Sequence, residues 1–166
     1  MVQLIMGLKG SGKTKRLVDM VRTALDTENG SIVCIEKDKK LTYDIPPQAR
    51  LVFASDYAIG TAEFFKGLLS GLHAGNYDIT HIFIDNFTKM ISGIDLDGIV
   101  AFIQWMNAFS EKEGVTFTVS LSVDPDNAPE ALAQYKIWVG LPFRNIPQGT
   151  PCGMFGIFLH FFGCVT

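Results

Sequence analysis

The chain has 166 residues, of which 48% are hydrophobic and 19% are charged, and its formal net charge is −3. This length and composition are typical of one globular domain with a sizeable core, and they exclude a disordered chain. The slightly acidic charge, with no run of more than two basic residues, gives no clear indication of a nucleic-acid partner. The three cysteines are widely spaced and match no zinc-binding pattern.

An apolar strand is predicted over residues 2–6, directly at the N-terminus. Because this leaves no room for a signal peptide, and because we find no transmembrane segment, we expect a cytoplasmic protein. The strand leads into Gly7-Leu8-Lys9-Gly10-Ser11-Gly12-Lys13-Thr14, which matches the phosphate-binding pattern G-x-x-x-x-G-K-[ST] at every fixed position.

This loop, residues 7–14, predicts a site for a nucleoside triphosphate, most simply ATP with Mg²⁺. Its glycines let backbone N–H groups point at phosphate oxygens, and the helix that follows adds the positive end of its dipole. Lys13 would reach the β- and γ-phosphates, and the Thr14 hydroxyl would ligate Mg²⁺. The residues expected to bind the nucleotide are Lys9, Gly10, Ser11, Gly12, Lys13 and Thr14.

Strands and helices alternate along the rest of the chain. Helices are predicted over 13–27, 61–74, 97–113 and 127–135, and further strands over 31–36, 49–55, 81–85 and 115–122. Apolar spacing in the second helix places Phe64, Leu68, Leu69 and Leu72 on one side. This alternation predicts a three-layer α/β fold, in which helices flank a mainly parallel five-stranded sheet.

The predicted nucleotide-binding domain spans residues 1–135, and residues 136–166 form an apolar C-terminal tail. From Ala131 to Thr166 the chain has no Asp or Glu, and five phenylalanines lie between Phe143 and Phe162. The apolar segment 152–165 is too short to cross a bilayer as a helix. The tail is open to three interpretations: a final strand on the sheet, a segment that docks a partner, or sequence not native to the fold.

Two acidic residues end predicted strands and therefore face the same edge of the sheet as the loop. Asp85 follows the apolar residues Ile82-Phe83-Ile84 and is the candidate for the Mg²⁺-holding carboxylate of a Walker B strand. Glu36 ends the second strand and is a candidate catalytic base, with Asp38 as its rival. Asn86, directly after Asp85, can orient water but cannot take a proton.

The order of these motifs resembles the RecA-like division of P-loop ATPases, including small bacterial proteins grouped with twitching-motility and secretion ATPases. In that division the catalytic glutamate follows the second strand, and the Walker B aspartate need not be followed by Glu, as at Glu36 and at Asp85-Asn86 here. The resemblance covers about residues 1–135. It implies Mg²⁺-dependent ATP hydrolysis and a Walker B strand separated from the first strand by another strand.

The resemblance also implies a cation supplied by a neighbouring subunit, for which Arg50 and Lys89 are candidates. A homo-oligomer or another protein partner is therefore an open expectation. At the end of the last predicted strand, Ser120 or Ser122 could sense the γ-phosphate. His73 and His81 have no metal-ligating partner at a suitable spacing, so we expect structural roles for both.

Two other functions stay open. A regulatory switch that binds ATP with little turnover is favoured by Asn86 and by the scarcity of arginines. A thymidine-kinase-like enzyme would also begin with a strand and a phosphate loop. That second similarity is weaker, because this chain lacks both the Asp-Glu pair of such kinases and their zinc-binding cysteines.

Overall fold

The structure is a computed structural model that describes residues 1–57 and 59–140. Within these residues, six strands form one sheet and three α-helices pack on it. In chain order the elements are β1 (Val2–Gly7), α1 (Lys13–Thr27), β2 (Ser31–Glu36), β3 (Arg50–Phe53), α2 (Ala62–Gly75), β4 (Ile79–Ile84), α3 (Leu96–Glu113), β5 (Thr116–Leu121) and β6 (Lys136–Gly140). No helix in this part of the chain has the length and apolar character needed to cross a membrane.

The strand order in the sheet is β3-β2-β4-β5-β1-β6, and every neighbouring pair is parallel. Strand β5 lies between β1, which leads into the glycine-rich loop, and β4, which leads to Asp85. This separation is the arrangement that the RecA-like resemblance implies, whereas direct adjacency of β1 and β4 would have favoured the kinase alternative. The architecture is therefore a three-layer α/β fold that matches a RecA-like fold.

The prediction of five strands was wrong, because the sheet has a sixth. Residues Lys136–Gly140 pair with β1 in parallel, with Leu4 opposite Lys136 and Met6 opposite Val139. This segment opens the predicted tail, and a final strand on the sheet is one of the three interpretations that the sequence leaves open; its β-branched residues suit a strand beside the apolar β1. Residues 141–166 of the predicted tail lie outside the described residues.

The predicted helix over 127–135 is also shorter than expected. A 3₁₀ helix covers only Glu130–Tyr135. The residue before it is Pro129, and no side chain caps it. Asn127 lies instead in a turn, where its side-chain amide donates to Asp124 Oδ2 at 2.7 Å and its backbone N–H donates to the Asp124 carbonyl at 3.2 Å.

Apolar side chains cover both faces of the sheet, as buried parallel strands require. On one face α1 packs through Leu17, Val18 and Val21. On the other face α2 and α3 pack around an aromatic group in which the Phe87 ring lies 4.8 Å from that of Phe102. Both α2 and α3 begin at side-chain caps, where Thr61 accepts from Phe64 N–H and Asp95 accepts from Gly98 N–H.

A buried polar chain crosses the middle of the sheet at His81. Its Nδ1 lies 2.8 Å from Glu28 Oε1 and its Nε2 lies 2.8 Å from Thr118 Oγ1, while the Thr118 hydroxyl donates to Gln3 Oε1 at 3.0 Å. His81 is 6% exposed, so these contacts satisfy a ring that has little access to water. They connect the end of α1 to β4, β5 and β1.

Acidification should destabilise the fold through this histidine. Burial lowers the pKa of His81, more than its hydrogen bond to Glu28 raises it. Because the unfolded chain then binds the proton more readily, the free energy of unfolding should fall as the pH drops below about 6.5, by about 1.4 kcal/mol for each unit of pKa difference. Denaturant unfolding across this range measures the effect, and His81→Gln should flatten the profile. An identical profile in the variant would contradict this prediction.

Candidate functional site

The glycine-rich loop, residues 7–14, curls at the carboxyl end of β1 and passes directly into α1. Gly10 has φ 83° and Gly12 has φ 90°, left-handed values that side chains with a Cβ rarely adopt. Gly12 precedes α1, and no side chain caps the helix there. The first N–H groups of α1, which have no partner within the helix, are therefore left for a ligand at the loop.

Lys13 is held at the floor of this loop. Its side chain is 5% exposed, and Nζ donates to the Leu8 carbonyl at 2.8 Å across the loop. Burial lowers the pKa of Lys13; the nearby Asp85 carboxylate opposes this shift and the Lys89 ammonium adds to it. The Lys13 ammonium is thus a buried cation beside a second lysine, and a bound anion would replace the hydration that the ammonium has lost.

The loop and the end of β4 meet through Thr14 and Asp85. Thr14 Oγ1 lies 3.1 Å from Asp85 Oδ1 and 3.3 Å from Oδ2, and the carboxylate is 4% exposed. The Ser120 hydroxyl, from β5, donates to Asp85 Oδ1 at 2.7 Å. Because β5 lies between β1 and β4, the Ser120 hydroxyl is close to the Asp85 carboxylate. The hydrogen bond fixes the orientation of this carboxylate.

Asn86 begins a turn that leads out of the site. It has φ 52°, its backbone N–H donates to Ser120 Oγ at 2.7 Å, and its side-chain amide donates to Asp85 Oδ2 at 2.6 Å. A short 3₁₀ helix, Phe87–Lys89, follows. The sequence predicts that Asn86 can orient water but cannot act as a base, and it does not predict the contact with Asp85. The available signal was an Asn directly after a strand, because Asn adopts left-handed φ more often than most residues.

Glu36, at the end of β2, is 3% exposed and holds the segment that follows it. Its Oε1 accepts from Leu41 N–H at 2.9 Å, and its Oε2 accepts from Lys40 N–H at 3.2 Å. Burial raises the pKa of Glu36; these two N–H groups oppose the shift, and the charges of Asp85 and Asp38 add to it. The rival, Asp38, is exposed and pairs with Lys40 at 3.5 Å.

A cleft of about 300 Å³ opens above the loop. It is lined by Lys9, Gly10, Gly12, Lys13, Thr14, Asn86, Lys89 and Ser122. The structure thus brings together five of the six predicted loop residues and Ser122, whereas Ser120 supports Asp85 from beneath. Lys89, considered only as a cation from another subunit, lines this cleft from within the same chain, and Arg50 lines a separate cleft with Tyr57 and α2.

The sixth predicted loop residue, Ser11, has an unsatisfied hydroxyl. Its Oγ is buried and has no hydrogen-bond partner. A buried hydroxyl without a partner costs free energy, so a group that hydrogen-bonds to it would stabilise the loop. In the described part of the chain, no cluster of three or more His, Cys, Asp or Glu side chains could hold a metal ion by protein ligands alone.

No protein-family model matches the sequence, and no curated protein matches it. One solved structure similar to this chain is the flagellar accessory protein FlaH from Methanocaldococcus jannaschii, with 15% identity and a TM-score of 0.47, over 80% of this chain and 65% of FlaH. The chain thus spans less than two thirds of that protein, and a likeness of this degree assigns no activity.

Proposed function

We propose that this chain binds ATP together with Mg²⁺ at the glycine-rich loop and hydrolyses the ATP to ADP and phosphate. The observation that supports this most is the contact of Thr14 Oγ1 with the Asp85 carboxylate, at 3.1 Å, beneath a cleft that three lysines line. A hydroxyl and a carboxylate are oxygen ligands that Mg²⁺ accepts, and it takes its other ligands from phosphates and water.

The loop also fits the phosphates themselves. The helix α1 lacks a side-chain cap, Ser11 Oγ is buried without a partner, and Lys13 has only a neutral carbonyl within hydrogen-bond distance. The free N–H groups of α1, the Ser11 hydroxyl and the Lys13 ammonium are all hydrogen-bond donors within one loop, and an acceptor-rich anion suits such a set. A triphosphate would meet these requirements.

The roles of the residues follow from their placement. Bound Mg²⁺ would neutralise part of the phosphate charge. Lys13 would exchange the Leu8 carbonyl for phosphate oxygens, and Ser120 would keep Asp85 oriented. Glu36 would accept a proton from the attacking water, because it is buried near Asp85, whereas Asp38 is exposed and paired with Lys40.

Calorimetric titration of the full chain with ATP, with and without Mg²⁺, tests the binding, and phosphate release tests the turnover. We expect saturable binding that Mg²⁺ strengthens, followed by release of phosphate without any added nucleoside. Absence of binding at millimolar ATP would overturn the proposal. Binding without phosphate release would instead indicate a nucleotide-dependent switch, and release only with an added nucleoside would indicate a kinase.

Asp85→Asn should remove most of the Mg²⁺ dependence of nucleotide affinity. The amide keeps the shape of the carboxylate but loses the charge that holds the cation, so affinity for ATP with Mg²⁺ should fall about 10- to 100-fold, the usual cost of one charged hydrogen-bonding partner. Titration with and without Mg²⁺ measures the difference between the two conditions.

The matched control is Asp78→Asn, an exposed residue just before the opposite end of the same strand. It should leave both affinities as they are. If Asp85→Asn retains the full Mg²⁺ dependence, Asp85 is not a metal ligand.

A further inference from the structure

Lys89 lines the cleft of its own chain, whereas the sequence predicts it only as a candidate cation from a neighbouring subunit. It lines the same cleft as Lys13, Thr14 and Ser122. Its charge is close enough to contribute to the lowered pKa of Lys13.

The turn that carries Lys89 is fixed on both sides. Phe87 is fully buried, with its ring 5.7 Å from that of Phe65 and 4.8 Å from that of Phe102, and Met90 is 3% exposed. The backbone N–H of Lys89 donates to the Asn86 carbonyl at 2.9 Å. Because Phe87 and Met90 are buried on either side of it, the backbone of Lys89 is held in place beside the cleft, and its side chain starts from a fixed point.

No acidic side chain in the described part of the chain pairs with Lys89. The salt bridges found there involve other residues, and Asp85 is already held by Thr14, Ser120 and Asn86. An exposed lysine beside a buried one, in a cleft that also contains Lys9, produces a concentration of like charge that a polyanion would relieve.

Among the described residues, no arginine lines the cleft above the loop. Arg16 lines a cleft with Glu28 and His81, Arg22 donates to the Asp44 carbonyl, and Arg50 lies beside α2. Lys89 and Lys9 are thus the remaining cations at the mouth. Lys9 belongs to the loop itself, whereas Lys89 lies across the cleft from it, after β4.

We propose that Lys89 is a catalytic residue that contacts the γ-phosphate from within the same chain, so that turnover requires no cation from a neighbouring subunit. This inference rests on the proposed function. The water oxygen forms a bond to the γ-phosphorus while the bond to the β,γ-bridging oxygen breaks, and that oxygen keeps the electron pair as ADP leaves. The water proton passes to Glu36, and the Lys89 ammonium neutralises charge on the γ-phosphoryl oxygens.

The first experiment measures binding without turnover. Lys89→Ala should weaken binding of the non-hydrolysable analogue AMP-PNP with Mg²⁺ about tenfold, the loss of one exposed charge-assisted hydrogen bond, and should leave ADP affinity unchanged. Lys89→Arg should restore part of the AMP-PNP affinity because it keeps the charge. The control is Lys112→Ala, an exposed lysine in the last turn of α3, which should alter neither ligand.

The second experiment tests whether Lys89 acts on the site of its own chain or on the site of a neighbouring chain. Turnover by Lys89→Ala should fall about 100-fold, the lower end of what a preorganised donor to a transition-state oxygen contributes. Mixing Lys89→Ala chains with Asp85→Asn chains should not restore it, since each intact site needs both residues in one chain. Recovery on mixing would overturn the proposal, because it would show Lys89 acting on a neighbour.

Two further outcomes would overturn it. Lys89→Ala chains that keep wild-type turnover would show that the residue has no catalytic role, and so would a loss of γ-phosphate-dependent affinity in Lys9→Ala but not in Lys89→Ala. In both cases the wild-type chain still binds and hydrolyses ATP, so the proposed function stands. Failure of the wild-type chain to bind AMP-PNP and ATP would instead remove the proposed function.

Discussion

Glu36→Gln is expected to lower phosphate release by about 10²- to 10⁴-fold, which is what a positioned general base contributes. The amide occupies the same space but cannot take a proton from water. Wild-type turnover should also fall on the acidic side, at a pH above the usual range of a glutamate, because burial raises the pKa of Glu36 and only the deprotonated form accepts the proton. Phosphate release as a function of pH measures both effects.

A merely structural role of Glu36 would give a different result. Its two oxygens accept from Leu41 and Lys40 N–H groups, so the amide of Glu36→Gln can satisfy only one of them. If that were its whole role, the variant would lose stability and nucleotide affinity together. We expect AMP-PNP affinity to persist while turnover is lost, and a Glu63→Gln control, an exposed residue in the first turn of α2, should change neither.

The second large effect on ATP binding and turnover is expected for Lys13→Ala. Removing a buried ammonium from the loop should weaken ATP binding about 10- to 100-fold through the loss of charge-assisted hydrogen bonds. The ATP that still binds should be hydrolysed about 10²- to 10³-fold more slowly, because the Lys13 ammonium also stabilises the charge that develops on the phosphoryl oxygens. Titration calorimetry and single-turnover phosphate release separate the two losses.

Lys15→Ala is the matched control, because Lys15 is exposed and lies two residues further along the same helix. It should retain both affinity and rate. The thermal stability of Lys13→Ala should not fall, since the variant removes a charge that burial penalises. Wild-type affinity in Lys13→Ala would contradict the placement of the phosphates at this loop.

The sequence predicted the local elements near the site well. The bounds of α1 and of β2 agree with the structure residue for residue, because a complete loop motif fixes where α1 begins and a β-branched run defines β2. For α2 the predicted apolar side was right except at one residue. Leu69 is fully buried and Leu68 and Leu72 pack against the core, whereas Phe64 is 51% exposed and its neighbour Phe65 is buried. Two adjacent phenylalanines are both apolar, so their spacing alone did not determine which one meets the sheet.

By itself, the sequence determined the glycine-rich loop, the helix after it and the acidic ends of β2 and β4, because each depends on a few adjacent residues. Only the tertiary structure decided that β5 lies between β1 and β4, that β6 extends the sheet, and that Lys89 lines the cleft of its own chain. These features depend on which distant strands pair. Pairing is settled by the packing of whole faces, and no short segment of the sequence records it.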